Sequence, residues 1–301
     1  RCESFLIGIL CLIGLIPWPK PAKKRGRPYV YSPTVMLRCF IVRMWLRIPS
    51  NNALHSFLSI DNRYNARVMV ACGLDRLPDR RTFDRRFEAT SLDLKSRIGS
   101  MGALFVNEKL IDPYIVSVDS SLLKARGHVW HKTSMEKGVA SYSGIDTDAR
   151  WGKSGTKGWV FGYKLHVVSS TGSLIVPLSA DFTTANIPDS KVYARVTASL
   201  RGVRYVDGDR GYDVDDLYEL SRERGYDLVC PIGRYENTHQ ERVELVFFYE
   251  SELGQLVYSW RSKSVEPLFE QIKDVFGVDP LPIRGFDGAE SVVLLSVLLY
   301  Q

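Results

Sequence analysis

The stretch Tyr114-Ile115-Val116-Ser117-Val118-Asp119-Ser120-Ser121 decides the fold. Its β-branched and aromatic residues follow Pro113 and read as a strand over residues 114–118, with Asp119 closing it. α/β sheets gather ligand groups at such strand ends, although an Asp there is also an ordinary turn or cap residue. The same character recurs downstream. Residues 160–168, 174–178, 203–206 and 228–232 read as strands, the first two forming a meander with 114–118. Helices are expected at 189–200 and 213–224. Three strands, then strands alternating with helices, specify a mixed α/β sheet covered by helices.

Upstream of Pro113 the pattern is helical. Residues 32–104 carry apolar side chains at helical spacing (Val35, Leu37, Phe40, Ile41, Met44, Trp45). Ser50 and Asn51 read as a cap before a helix running through Leu58, and Leu77-Pro78-Asp79 as a break before another at 80–86. No recognition helix stands out from a plain bundle. Residues 5–16 are apolar but shorter than the roughly 18 to 20 needed to span a bilayer, so a buried helix is expected and no membrane role. Lys20-Pro21-Ala22-Lys23-Lys24-Arg25-Gly26-Arg27-Pro28 follows, a basic linker broken by Pro and Gly. Its Arg25 and Arg27 suit an arm lying in a narrow minor groove, or a plain solvated linker.

The composition of the 301-residue chain sets limits. With 45% hydrophobic and 25% charged residues it is globular, not disordered, and 40 Lys+Arg against 34 Asp+Glu leave +6. That excess is compatible with a polyanionic partner without requiring one. Five scattered cysteines form no zinc or redox motif, and His128 and His131 lack a second matched pair, so a reducing cytoplasm and no zinc are expected. The first residue is Arg and not Met, as in a fragment.

Two further segments carry carboxylates. Arg204-Tyr205-Val206-Asp207-Gly208-Asp209-Arg210-Gly211-Tyr212 ends a strand, and alternation puts Asp207 and Asp209 on one face, either able to serve as a ligand. Glu266 lies in Ser264-Val265-Glu266-Pro267-Leu268-Phe269-Glu270-Gln271-Ile272-Lys273, a helix with Pro267 in its first turn and Val265, Phe269 and Ile272 as its apolar stripe. Glu270 and Lys273 lie along the same side as Glu266. Phosphodiester chemistry uses two divalent ions about 4 Å apart, which need several convergent hard oxygen ligands. Carboxylates from two strands and one helix can supply them.

In order and joint occurrence these segments resemble the transposases of prokaryotic insertion sequences, the insertion-sequence-four-like group with an RNase H-like DDE domain, over roughly residues 26–299. Val116 to Ser121 is similar to the segment of the family's first catalytic Asp. Phe161-Gly162-Tyr163-Lys164-Leu165-His166 and Asn186-Ile187-Pro188-Asp189 resemble its Gly-Tyr-Lys strand and the Asn/Asp pair opening the next helix. Asp209-Arg210-Gly211-Tyr212 resembles its Asp-x-Gly-Tyr motif, which favours Asp209 over Asp207. Tyr258-Ser259-Trp260-Arg261, leading to Glu266 and Lys273, is similar to its Tyr, Arg, Glu, Lys signature, with one extra residue between Arg261 and Glu266.

The resemblance implies an RNase H-like mixed sheet flanked by helices, with a mainly helical N-terminal region. It divides the chain into residues 1–31 (apolar helix and linker), 32–110 (DNA-binding region) and 111–301 (catalytic domain). It implies Asp119, Asp209 and Glu266 as catalytic ligands of two Mg²⁺ ions, with Mn²⁺ able to substitute. Lys273, Arg261, Tyr258, Lys164, Arg25 and Arg27 become the expected DNA contacts. The implied activity is cleavage at element ends followed by 3′-OH strand transfer into target DNA. The partners are double-stranded DNA and a second copy of the chain in the DNA complex, in a prokaryotic cytoplasm at the nucleoid. Two alternatives are a metal-dependent nuclease that does not join strands and an inactive DNA-binding remnant.

Overall fold

Alternating apolar and polar residues along the first strand give it one face that needs a packed cover, and helices of the chain supply it. The computed structural model describes residues 2–16, 18, 30–140, 142–155, 158–233 and 240–301. The basic linker with Arg25 and Arg27 lies outside them.

The N-terminal part is helical: α1 (Cys2–Leu15), α2 (Pro33–Trp45), α3 (Asn51–Ser59), α4 (Arg63–Cys72), α5 (Arg80–Glu88) and α6 (Ser91–Asn107). Local signals set the boundaries. Ser32 Oγ accepts from Val35 N with Pro33 in the first turn, Ser50 Oγ from Ala53 N, and Asp79 caps α5. Phe40 of α2 packs edge-on against Phe83 and Phe87 of α5. Helix α1 corrects the expectation of a buried helix. Leu6, Leu10 and Ile13 are buried, but Phe5, Leu12 and Leu15 are more than half exposed, because only one stripe of an otherwise uniformly apolar helix faces α2 and α4. No helix among the described residues is long and apolar enough to cross a membrane.

The remaining elements are β1 (Ile115–Lys124), α7 (Lys132–Glu136), β2 (Arg150–Ser154), β3 (Gly158–Ser170), β4 (Pro177–Thr184), α8 (Ser190–Val196), β5 (Tyr205–Asp207), α9 (Asp215–Glu223), β6 (Asp227–Val229), α10 (Gln240–Glu250), α11 (Glu252–Tyr258), α12 (Val265–Phe276) and α13 (Phe286–Tyr300). Strands β1, β3 and β4 are antiparallel neighbours, and β5 and β6 continue from β1 in parallel. Strand β2 pairs with the start of β3, beside β4. This is the expected mixed α/β sheet, and its helical cover and N-terminal helical region are also as expected.

Two strand expectations shift. Asp119 does not close its strand, because β1 continues to Lys124 alongside the long β3. Its parallel pairing with β5 nevertheless stops at Ser117 opposite Asp207, so Asp119 still stands just beyond the end of the parallel ladder. The strand expected at 174–178 forms later, at Pro177–Thr184, and leaves Leu174 exposed.

The Gly-Tyr-Lys strand has a packing reason for its glycine. A Cβ on Gly162 would run into the carbonyl oxygen of Leu123 on β1. Helix α13 is buried from Gly288 to Leu298 and contacts α2, α5, α6, α12 and β4. One apolar cluster thereby runs from Leu6 in the first helix to Leu298 in the last. A second, on the α8 and α9 side, contains Val116, Val118, Val192, Val206 and Tyr212.

Candidate active site

Strand geometry assigns the side chains of β1 alternately to two faces. Val116 and Val118 enter the apolar cluster with α8 and α9. Ser117, Asp119 and Ser121 face the other way, and each meets a residue near the start of α12 or along it. Ser264 Oγ lies 2.8 Å from Ser117 Oγ, Arg261 Nη2 donates to Asp119 Oδ2 at 2.8 Å, and Lys273 Nζ donates to Ser121 Oγ at 2.6 Å. The polar alternation of β1 is therefore the docking face for the segment that carries Glu266.

Arg261 holds two of the expected catalytic carboxylates at once. While Nη2 is on Asp119, Nη1 donates to Glu266 Oε1 at 2.9 Å. Residues five apart on a regular helix point in different directions. Here Arg261–Lys263 form a 3₁₀ turn and α12 starts only at Val265, after a break at Ser264. That break accommodates the extra residue between Arg261 and Glu266 and turns the guanidinium back toward the carboxylate.

Asp119 is buried, with its side chain 10% exposed, whereas that of Glu266 is 48% exposed. The site thus opens outward from the sheet. Burial pushes the Asp119 carboxyl up to about 7. Arg261 and the Ser120 N–H pull it down, while Asp209 and Asp189 push it further up. For Arg261, burial alone would lower the pKa, but Asp119 and Glu266 outweigh it and the net direction is up.

Asp207 and Asp209 part company where the chain leaves β5. Asp207 is fully buried and accepts from Ser117 Oγ at 2.8 Å, and burial pushes its carboxyl well above the ordinary range. Asp209 is partly exposed and caps the 3₁₀ turn Arg210–Tyr212, accepting from Gly211 N at 2.8 Å. It lies close enough to Asp119 and Arg261 to influence both electrostatically.

Among the described residues, the expected DNA contacts hold internal partners. Lys164 donates to Ile187 O and Asp189 Oδ1, both at 2.9 Å. Lys273 is bonded to Ser121, and its side chain is 14% exposed. Tyr258 is half-buried against Tyr249. Asp189, read from the sequence only as a helix opener, stands within the electrostatic reach of Asp119 and bonds Lys164. The Asn/Asp motif was the signal that could have placed it at the site.

Asp119, Asp209 and Glu266 have the hard oxygen chemistry that Mg²⁺ or Mn²⁺ requires, and a cation already stands between two of them. The donor set therefore fits a divalent ion. Among the described residues, however, no three His, Cys, Asp or Glu side chains converge into a finished metal cage.

Residues 111–301 match the family described as Transposase DDE domain, and residues 16–89 match Transposase domain (DUF772). The chain belongs to the DDE-domain transposases, the insertion-sequence class expected from its motifs. Members of this family generally use divalent metal ions, and membership implies phosphodiester cleavage and transesterification. No curated protein matches the chain. Among solved structures, the cryo-EM structure of a piggyBac transposase synaptic complex with hairpin DNA is similar at 9% identity and a TM-score of 0.40, covering 98% of this chain and 70% of that one.

Proposed function

We propose that this transposase cleaves DNA at the ends of its element and joins the freed 3′-OH to target DNA, with Asp119, Asp209 and Glu266 as its catalytic carboxylates. The observation that carries this reading is the meeting of Asp119 and Glu266, far apart in the chain, on one guanidinium beside Asp209.

The three carboxylates would hold two divalent ions, which when bound activate the attacking oxygen and stabilise charge on the phosphodiester. In the first displacement, water attacks phosphorus and the P–O3′ bond breaks, freeing a 3′-OH. In the second, that 3′-OH attacks a target phosphodiester and expels the target's own 3′ oxygen, so one P–O bond forms for each one broken. The residues' part is placement. Ser117 and Ser264 tie β1 to the start of α12, which fixes Glu266 relative to Asp119. Gly211 N holds Asp209 at the end of β5. Arg261, Tyr258, Lys164 and Lys273 line the approach, and contact with the DNA backbone requires Arg261 and Lys273 to exchange internal partners for phosphates. Arg25 and Arg27 would reach the element end from the linker. The working assembly is a dimer on DNA, acting at the nucleoid, and residues 32–110 form its DNA-binding region ahead of the catalytic domain.

The test is incubation of an element-end duplex with Mg²⁺ or Mn²⁺ and either the parent or its D119A, D209A or E266A variant. Metal-dependent 3′-OH ends and joined product, lost in all three variants, are expected. Nicked product that is never joined would leave a nuclease instead. Loss of cutting in Asp207→Ala or Glu270→Ala, with D209A or E266A still active, would reassign the ligands.

A further inference from the structure

The guanidinium of Arg261 sits where a divalent ion is proposed to bind. Its two terminal nitrogens bond different carboxylates at 2.8 and 2.9 Å. Mg²⁺ draws its ligand oxygens to about 2.0–2.1 Å and demands near-octahedral geometry. The ion and the guanidinium therefore compete for Asp119 and Glu266.

We propose that Arg261 is a built-in counter-ion for the DNA-free protein. It holds Asp119 and Glu266 together until a DNA phosphate draws the guanidinium away, so that DNA binding and divalent-ion binding reinforce each other. The proposal rests on the reading of Asp119 and Glu266 as metal ligands.

Three observations support exchange over a permanent structural pair. First, the Nε of Arg261 is buried with no partner among the described residues. The resting pose leaves a donor unsatisfied, which weakens it relative to a fully paired arginine. A phosphate, with several acceptor oxygens, can take the planar fork in bidentate fashion.

Second, the backbone beneath the side chain is held by neighbouring elements, whereas the tip is held by the two carboxylates that an ion would take. Ser264 Oγ lies within hydrogen-bond distance of both Ser117 Oγ and Trp260 O, at 2.8 and 2.7 Å, with one hydroxyl hydrogen to give to either, and this places it between β1 and the 3₁₀ turn that carries Arg261. The Arg261 side chain is itself 20% exposed and lies between the buried Asp119 and the open Glu266. The guanidinium can swing toward solvent without disturbing the elements that hold the carboxylates.

Third, the charges balance in both states. Without DNA, one guanidinium partly neutralises two carboxylates, one of them buried. With DNA, a divalent ion neutralises the two carboxylates and the guanidinium neutralises a phosphate. DNA arriving alone leaves the buried Asp119 without its cation, and a divalent ion arriving alone displaces the guanidinium with no phosphate to receive it. That difference is a coupling free energy between the two ligands, and it is reciprocal.

The experiment measures Mn²⁺ affinity of the full chain from the electron paramagnetic resonance signal of free Mn²⁺. It is run at fixed pH, with and without a short duplex corrected by a duplex-only blank, on the parent, R261Q, R261K and D119N. Without DNA, R261Q is expected to bind Mn²⁺ about tenfold more tightly than the parent, within the usual 5- to 150-fold range of coupled sites. R261K, a point charge that cannot span both carboxylates, falls between them. Adding duplex tightens Mn²⁺ binding about tenfold in the parent and much less in R261Q.

Equal or weaker Mn²⁺ binding by R261Q without DNA overturns the counter-ion role and leaves Arg261 as a fixed organiser of the site. If R261Q does not fold, R261K decides: tighter binding than the parent supports the proposal and equal or weaker binding overturns it. D119N separates the two levels of the argument. If it binds Mn²⁺ as well as the parent, the metal-ligand reading itself fails; if it binds more weakly while R261Q matches the parent, only the counter-ion proposal fails.

Discussion

The two faces of β1 use the same backbone for opposite purposes. On one face, Val116 and Val118 are completely buried in the apolar cluster shared with α8, α9 and β5. On the other, Ser117, Asp119 and Ser121 bond Ser264, Arg261 and Lys273 in succession. The first face stabilises the sheet by removing apolar area from water. The second spends part of that stability keeping a carboxylate buried beside a cation. A one-residue slip in pairing would exchange the two faces, so the register set by β3 matters as much to the site as the carboxylates do.

The sharpest way to test this contrast is Asp119→Ala. Losing a ligand that supports several kcal/mol of charge stabilisation should slow cleavage about a thousandfold or more, with the urea unfolding midpoint little changed. A variant that still cuts at the parental rate would break the comparison.

The next largest effect comes from His166, which lies opposite Ser120 on the apolar side of the sheet. It is fully buried, with Nε2 2.9 Å from Thr183 Oγ1, and burial lowers its pKa to about 4 although Asp189 nearby pulls the other way. The unfolded chain therefore takes up the proton first as pH falls. Stability from the neutral ring is complete above the unfolded value of about 6.5 and is lost progressively toward 4. Asp119 and Asp207, whose pKa values are raised by burial, gain stability as pH falls through the same window, so the His166 loss of roughly 3 kcal/mol is read as the difference between the parent and His166→Gln in pH-dependent urea unfolding. Asp181, whose pKa is lowered in spite of burial by Lys95 and Arg195, contributes at lower pH and leaves that window intact.

Val118→Ala should cost about 2 kcal/mol of stability from lost burial and the cavity left behind. Its cleavage rate should hold at temperatures where it stays folded. A loss of cleavage without a loss of stability would mean the two faces are not independent. The smallest effect is expected for Ser121→Ala, which removes the hydroxyl that accepts from Lys273: about 1 kcal/mol in unfolding, with a modest change in DNA affinity measured by filter binding.

Much of this arrangement was legible in the sequence because its signals are local. The cap at Ser50, the break at Leu77-Pro78-Asp79, the helical spacing of α2 and the strand centred on Val116 each depend on a few neighbouring residues, and they formed close to where they were expected. Helix α13 was not legible. Phe286–Tyr300 is apolar on nearly every side, so it has no polar face to show a 3.6-residue period, and burial on all sides is what such a helix needs. Strand β2 was missed because its five residues, Arg150 to Ser154, form only by pairing with the start of β3. Alternation left Asp207 and Asp209 equivalent, yet the strand ends at Asp207 and the chain turns at once. One carboxylate is thereby sealed against Ser117 and the other is left partly open to solvent.

The order of the carboxylates, the α/β alternation, the helical N-terminal region and the family are determined by the amino-acid sequence itself, because each follows from residue type and short-range spacing. Only the tertiary structure decided that Arg261 stands between Asp119 and Glu266, that Lys164 and Lys273 hold internal partners, and that Asp207 is withdrawn from the site. Those outcomes depend on which side chains meet when β1, β3, β5 and α12 pack together, and meetings between residues from 23 to 152 positions apart leave no trace in local pattern.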